Sequence, residues 1–89
     1  MEKEIYDLTV IIPHYNMPDS LRRLLDSIGY DEKIQVIVVD DYSNTYLSEL
    51  AACQAEYDYV DFAQTAEGKK GAGAARNTGL THALGKWIL

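Results

Sequence analysis

Three polar clusters hold the residues of this chain that are equipped for chemistry, and each follows an apolar run. Pro13-His14-Tyr15-Asn16 follows Val10-Ile11-Ile12, and Asp40-Asp41-Tyr42-Ser43 follows Val36-Ile37-Val38-Val39. The third cluster, Gly71-Ala72-Gly73-Ala74-Ala75-Arg76-Asn77, comes after Val60-Asp61-Phe62-Ala63 and the loop Glu67-Gly68-Lys69-Lys70. Together they offer an aromatic ring that can stack on a base and two carboxylates that can accept from a base N–H or a ribose hydroxyl. They also offer a glycine-rich helix start and an arginine, both suited to a diphosphate. These are the parts needed to hold a nucleotide.

Each feature has a plainer reading. Either of Asp40 and Asp41 serves equally as a turn-former ahead of Ser43-Asn44 or as a ligand group. A metal held by the adjacent pair is disfavoured, because neighbouring residues on a strand face opposite ways. Tyr15 is one of 7 tyrosines, so an ordinary surface ring competes with a stacking platform. His14 reads as a packed loop residue, and His82, late in a helix, is assigned no chemistry. Arg76 could pair with a nearby carboxylate, Asp41 included. The glycines of the third cluster do not make a dinucleotide fingerprint, which sits after the first strand and has an acid about 20 residues on. Here no acid follows Glu67.

The elements that must position these clusters alternate strand and helix. Residues 7–13 read as the first strand. Pro18 opens a helix whose Leu21, Leu24, Leu25 and Ile28 form one stripe, and Gly29 stops it. Ile34 to Val39 reads as a central strand, and Ser43, Asn44 and Thr45 as capping residues ahead of a second helix through Leu47, Leu50, Ala51 and Gln54. Tyr59 to Gln64 is the third strand. A third helix runs from near Gly71 to near Leu84, burying Ala75, Gly79, Leu80, Ala83 and Leu84, and Trp87 starts a fourth strand. Such alternation predicts a Rossmann-like α/β fold, a parallel sheet of order 3-2-1-4 with flanking helices. Ligands bind outside the carboxyl ends of such strands, where the three clusters gather.

Length and composition narrow the classes. At 89 residues the chain forms one domain, and a net charge of −6 argues against a nucleic-acid partner. The single Cys53 cannot form an internal disulfide and reads as a buried or half-buried thiol. The charged start Met1-Glu2-Lys3-Glu4 lacks the apolar core of a secretory signal, and a cytoplasmic setting is expected. Gly85-Lys86-Trp87-Ile88-Leu89 reads as a helix stop followed by a strand just begun, so a longer parent protein is expected.

With these residues in view, the chain resembles the start of the inverting family 2 glycosyltransferases of the GT-A fold. Residues Thr9 to Asn16 match that family's V-I-I-P-x-Y-N strand, and Val38 to Ser43 match its V-D-D-x-S turn. Gly71 to Gly79 match its G-x-x-x-A-R-N-x-G helix, and Ala83 to Ile88 its A-x-G-x-x-I segment. The resemblance implies that residues 1–89 are the nucleotide-sugar-binding half of a glycosyltransferase domain whose donor is a nucleotide-diphosphate sugar, with UDP the expected carrier. It implies that Pro13 and Tyr15 line the base pocket, that Asp41 binds the base and ribose with Asp40 supporting, and that Arg76 holds the diphosphate. A divalent Mn or Mg ion would be held by an Asp-x-Asp beyond Leu89, with the general base further on. The acceptor would be a carbohydrate or lipid-linked molecule, the setting polysaccharide biosynthesis in the cytoplasm or at the cytoplasmic face of a membrane, and the 89 residues alone would be inactive. Two other classes stay open: a non-catalytic nucleotide-binding module, and a nucleotidyltransferase-like domain, whose phosphate loop after the first strand has no counterpart in Pro13 to Asn16.

Overall fold

A computed structural model describes residues 6–89; the charged stretch at residues 1–4 lies outside the described residues. Apolar runs form strands β1 (Tyr6–His14), β2 (Ile34–Asp40), β3 (Asp61–Gln64) and β4 (Gly85–Ile88). Between them lie α1 (Pro18–Ile28), α2 (Leu47–Glu56) and α3 (Ala72–His82). All strand pairs are parallel and the order is β3-β2-β1-β4, as the alternation predicts.

The period-2 alternation of β1 and β2 sends side chains into two cores. On one face Ile12, Val36 and Val38 pack with Leu21 and Leu25 of α1 and Cys53 of α2. On the other, Ile11, Ile37 and Val39 pack with Ala75 of α3. Changing faces after β3 is what carries β4 to the far side of β1. The third helix sits close to the sheet because Gly79 lacks a side chain; a Cβ there would lie 2.5 Å from Ile11 Cγ2. Cys53 is fully buried, and burial pushes its thiol pKa up.

Several boundaries differ from the sequence reading. The third helix ends at His82 rather than near Leu84, and β4 begins at Gly85 rather than Trp87. The cause is a buried polar bracket. Gln35 Nε2 donates to the His82 carbonyl (3.1 Å) and to Asp61 Oδ2 (3.0 Å), while its Oε1 accepts from Leu84 N–H and from Thr9 Oγ1 (both 2.8 Å). Thr9 Oγ1 also accepts from Gly85 N–H at 2.8 Å. The bracket fixes the turn into β4 and leaves Leu80 and Leu84 exposed instead of inward. Leu24 is likewise exposed.

The third strand starts at Asp61, because Tyr59 leaves the sheet to meet Tyr30 and Tyr57 edge to face, at 5.2 and 6.3 Å between centroids. Helix α2 has no side-chain cap; its N-cap is Tyr46 in the left-handed region. Ser43, Asn44 and Thr45 are engaged elsewhere, as described below.

On the α1–α2 face the Tyr57 hydroxyl donates to the Asp26 carboxylate, and Arg22 pairs with Glu56. That hydrogen bond, with burial and the charges of Asp26 and Glu56, pushes the Tyr57 phenol up to about 12. A raised folded-state value means the unfolded chain loses the proton first. The stabilisation is therefore complete below about pH 10 and is lost as pH rises toward about 12. We expect the native chain to lose stability across that window more steeply than Tyr57→Phe, read from denaturant midpoints. Identical slopes for the two would contradict the Tyr57–Asp26 contact.

Candidate functional site

The carboxyl edge of the sheet is where β1, β2 and β3 hand over to the loops before α1, α2 and α3, and side chains tie those loops together. Asn16 is the first tie. It sits in the left-handed region (φ 55°), which asparagine tolerates. Its Oδ1 accepts from Asn44 N–H (2.9 Å) and Thr45 N–H (3.1 Å), and its Nδ2 donates to Asn44 Oδ1 (2.9 Å). Its own N–H donates to Ser43 Oγ (2.9 Å). The Ser43 and Asn44 side chains are thereby engaged away from the start of α2, and the Thr45 backbone N–H is held by Asn16.

The two adjacent aspartates have different surroundings. Asp40 is a turn-former: Oδ2 accepts from Ser43 N–H (2.9 Å), and Oδ1 accepts from Ser43 Oγ (2.5 Å) and from the His14 ring (2.9 Å). Asp41 faces the third loop, where its Oδ2 accepts from Gly71 N–H at 2.9 Å. Its other oxygen, Oδ1, is buried and has no hydrogen-bond partner among the described residues, an arrangement that costs about 1–3 kcal/mol.

Gly71 holds φ 102°, a conformation that suits glycine alone, and it delivers its N–H to Asp41 as the N-cap of α3. The first-turn N–H groups of α3 therefore lie beside Asp41 at the carboxyl edge. Tyr42, also left-handed (φ 61°), pins the same loop by donating from its hydroxyl to the Thr65 carbonyl (2.9 Å).

Arg76 is exposed on the second turn of α3 and makes no ion pair among the described residues. The plainer alternative, Arg76 paired with a nearby carboxylate such as Asp41, is not seen; Asp41 Oδ2 instead accepts from the Gly71 N–H. Lys69, Lys70 and Arg76 lie in a stretch that holds no acid from Gly68 onward, a positive end in a chain of net charge −6. Pro13 is half-buried beside a small cavity of about 150 Å³ shared with Tyr15, Met17 and Leu24.

Tyr15 is 44% exposed, and Lys70 Nζ lies 5.1 Å from its ring centroid. The structure thus brings Tyr15, Asp41 and the start of α3 to one edge and keeps Asp40 as their support. Asn16, Lys70 and the His14 bridge were missed as site features; Asn16 and His14 were marked only by lying inside the first polar cluster, and Lys70 only by the loop before the third. His82 stays apart, its ring against Thr78 and Thr81. Among the described residues no group of three His, Cys, Asp or Glu side chains could hold a metal ion. With Asp40 engaged and a single free oxygen on Asp41, these residues do not make a metal site by themselves.

Comparison with known proteins gives one consistent result. The family model described as glycosyl transferase family 2 matches residues 9–89. Glycosyltransferase GlyA of Streptococcus pneumoniae is 36% identical over 83 residues, covering 91% of this chain and 12% of the relative. The succinoglycan biosynthesis protein ExoO of Rhizobium meliloti is 31% identical over 87 residues, covering 96% of this chain and 24% of the relative. Among solved structures, the mannosyltransferase PcManGT of Pyrobaculum calidifontis, in complex with GDP-Man and Mn2+, superposes with a TM-score of 0.67 at 29% identity. That match covers 90% of this chain and 25% of the other. The chain thus spans a quarter or less of the length of these relatives.

Proposed function

This chain belongs to glycosyl transferase family 2, and on that premise we propose that residues 1–89 form the donor-binding half of a glycosyltransferase using a nucleotide-diphosphate sugar. The observation that carries the reading is the buried, unpartnered Oδ1 of Asp41 beside the N-terminus of α3. A base N–H or ribose hydroxyl satisfies that oxygen. Tyr15 stacks on the base once Lys70 moves off its ring, Pro13 walls the pocket, and Asp40 holds the turn. The α3 N-terminus and Arg76 take the diphosphate.

That oxygen can accept from the ring N–H of uracil or guanine and equally from the amino group of adenine or cytosine, so the carrier is taken from the family resemblance. UDP is the expected carrier, and the GDP-Man in the PcManGT complex supports GDP as the second. The acceptor is proposed as a carbohydrate or lipid-linked molecule on the cytoplasmic side, in polysaccharide synthesis; the name of the succinoglycan biosynthesis relative supports a biosynthetic setting. Among the described residues no helix is long and apolar enough to cross a membrane.

A divalent Mn or Mg ion, whose role would be to neutralise the leaving diphosphate, is proposed to take its ligands from beyond Leu89. Leu89 N–H donates to the Thr9 carbonyl and its own carbonyl accepts from Ile11 N–H, so Leu89 lies level with Val10, before the edge at His14. Transfer with inversion at the anomeric carbon also needs a general base that no residue placed here supplies. The 89-residue chain is therefore expected to bind donor without transferring sugar.

Calorimetry with UDP, GDP, ADP and uridine tests the binding claim. We expect UDP or GDP to bind more tightly than ADP, and uridine to bind more weakly than UDP for want of the diphosphate. No heat with any of the four would overturn the proposal.

A further inference from the structure

His14 closes β1 with only 6% of its surface exposed, and both ring nitrogens are used. Nε2 lies 3.0 Å from the backbone nitrogen of Met17, whose N–H can only donate, so Nε2 must accept. The proton of the neutral ring then sits on Nδ1, which donates to Asp40 Oδ1 at 2.9 Å. The chain continues from Asp40 to the hydroxyl and N–H of Ser43, and from Asn16 N–H to Ser43 Oγ. One buried imidazole thus links the residue that opens α1 to the turn that follows β2.

We infer that His14, neutral and protonated on Nδ1, is a positioning residue that sets the loop bearing Tyr15 against the loop bearing Asp41. Its use in holding a nucleotide rests on the reading above; the bridge itself does not. The position demands a donor at one end, an acceptor at the other and a fixed span between them. Leucine fills the space and supplies neither group, whereas glutamine supplies both and does not titrate.

Two measurements on the 89-residue chain test this. Nitrogen-15 shifts of the His14 ring at about pH 8 are expected to report the Nδ1–H tautomer. Amide hydrogen-exchange protection at Met17 is expected to fall about 10-fold in His14→Leu, the equivalent of one hydrogen bond, and to stay near the native level in His14→Gln.

A proton on Nε2 instead, or unchanged Met17 protection in His14→Leu, overturns the inference whatever the nucleotide result. Should His14→Leu fail to fold, His14→Gln decides: loss of Met17 protection in that variant overturns it and near-native protection supports it. A native chain that binds neither UDP nor GDP overturns the nucleotide reading alone, since Met17 protection is read without ligand.

Discussion

Replacing Asp41 by alanine is expected to weaken UDP or GDP binding by roughly 10- to 100-fold, the equivalent of one hydrogen bond to a charged group at about 1.5–3 kcal/mol. The substitution removes the oxygen that has no partner in the free chain, so the loss falls on the ligand rather than on an existing contact. It also removes the acceptor for Gly71 N–H, and a modest loss of stability should accompany it. Asp41→Asn separates the two effects. Its amide oxygen can still accept from Gly71, while its NH2 faces the ligand as a donor where an acceptor is needed. The asparagine variant is thus expected to melt near the native temperature and still bind poorly. Native affinity in both variants would remove Asp41 from the site.

Gly85→Ala is expected to be the most destabilising single substitution discussed here. A Cβ at that position would lie 2.6 Å from Thr9 N and Thr9 Oγ1 and 2.7 Å from Leu8 C. Two of those three atoms are backbone of β1, which cannot turn aside as a side chain does. Relief requires β4 to move away from β1, breaking the register Tyr6↔Gly85 and Leu8↔Trp87 and the Gly85–Thr9 hydrogen bond. Overpacking costs about 1–3 kcal/mol and more against rigid atoms, and each kcal/mol shifts the melting point of a domain this size by about 4–8 °C. A drop of roughly 10–20 °C is expected. Gly73→Ala is the control: a Cβ there meets nothing within 4 Å, and alanine favours the helix, so stability should hold or rise. An unchanged melting point for Gly85→Ala would contradict the β1–β4 register.

What the sequence made legible was whatever depends on neighbours a few residues away. The apolar runs ending at Val39 and Ile12, the Leu21–Leu25 stripe and the Gly29 stop have local causes, and they fixed β1, β2 and α1. The strand order followed from connectivity. What escaped was set by partners far along the chain. Gln35 looks like an interruption in an apolar strand, yet it determines where α3 ends through contacts with His82 and Leu84. Ser43 and Asn44 have cap chemistry, and Asp40 and the left-handed Asn16 on another loop show where it is used. Asp40 and Asp41 were indistinguishable as letters. Ser43 and His14 on one side, and Gly71 on the other, separate a turn-former from a carboxylate with a free oxygen. Tyr15 was legible as a ring at the end of β1, but the lysine over it comes from a loop more than fifty residues later in the chain.

The account stands on nucleotide binding at one edge of the sheet, and amide NMR of the nitrogen-15-labelled chain tests it most directly. On titration with UDP, then GDP, shifts are predicted at Tyr15, Asp41, Gly71 and the first turn of α3, with the amino-edge residues Tyr30 and Tyr59 unmoved. Shifts confined to the amino edge, or none with either nucleotide, would contradict it.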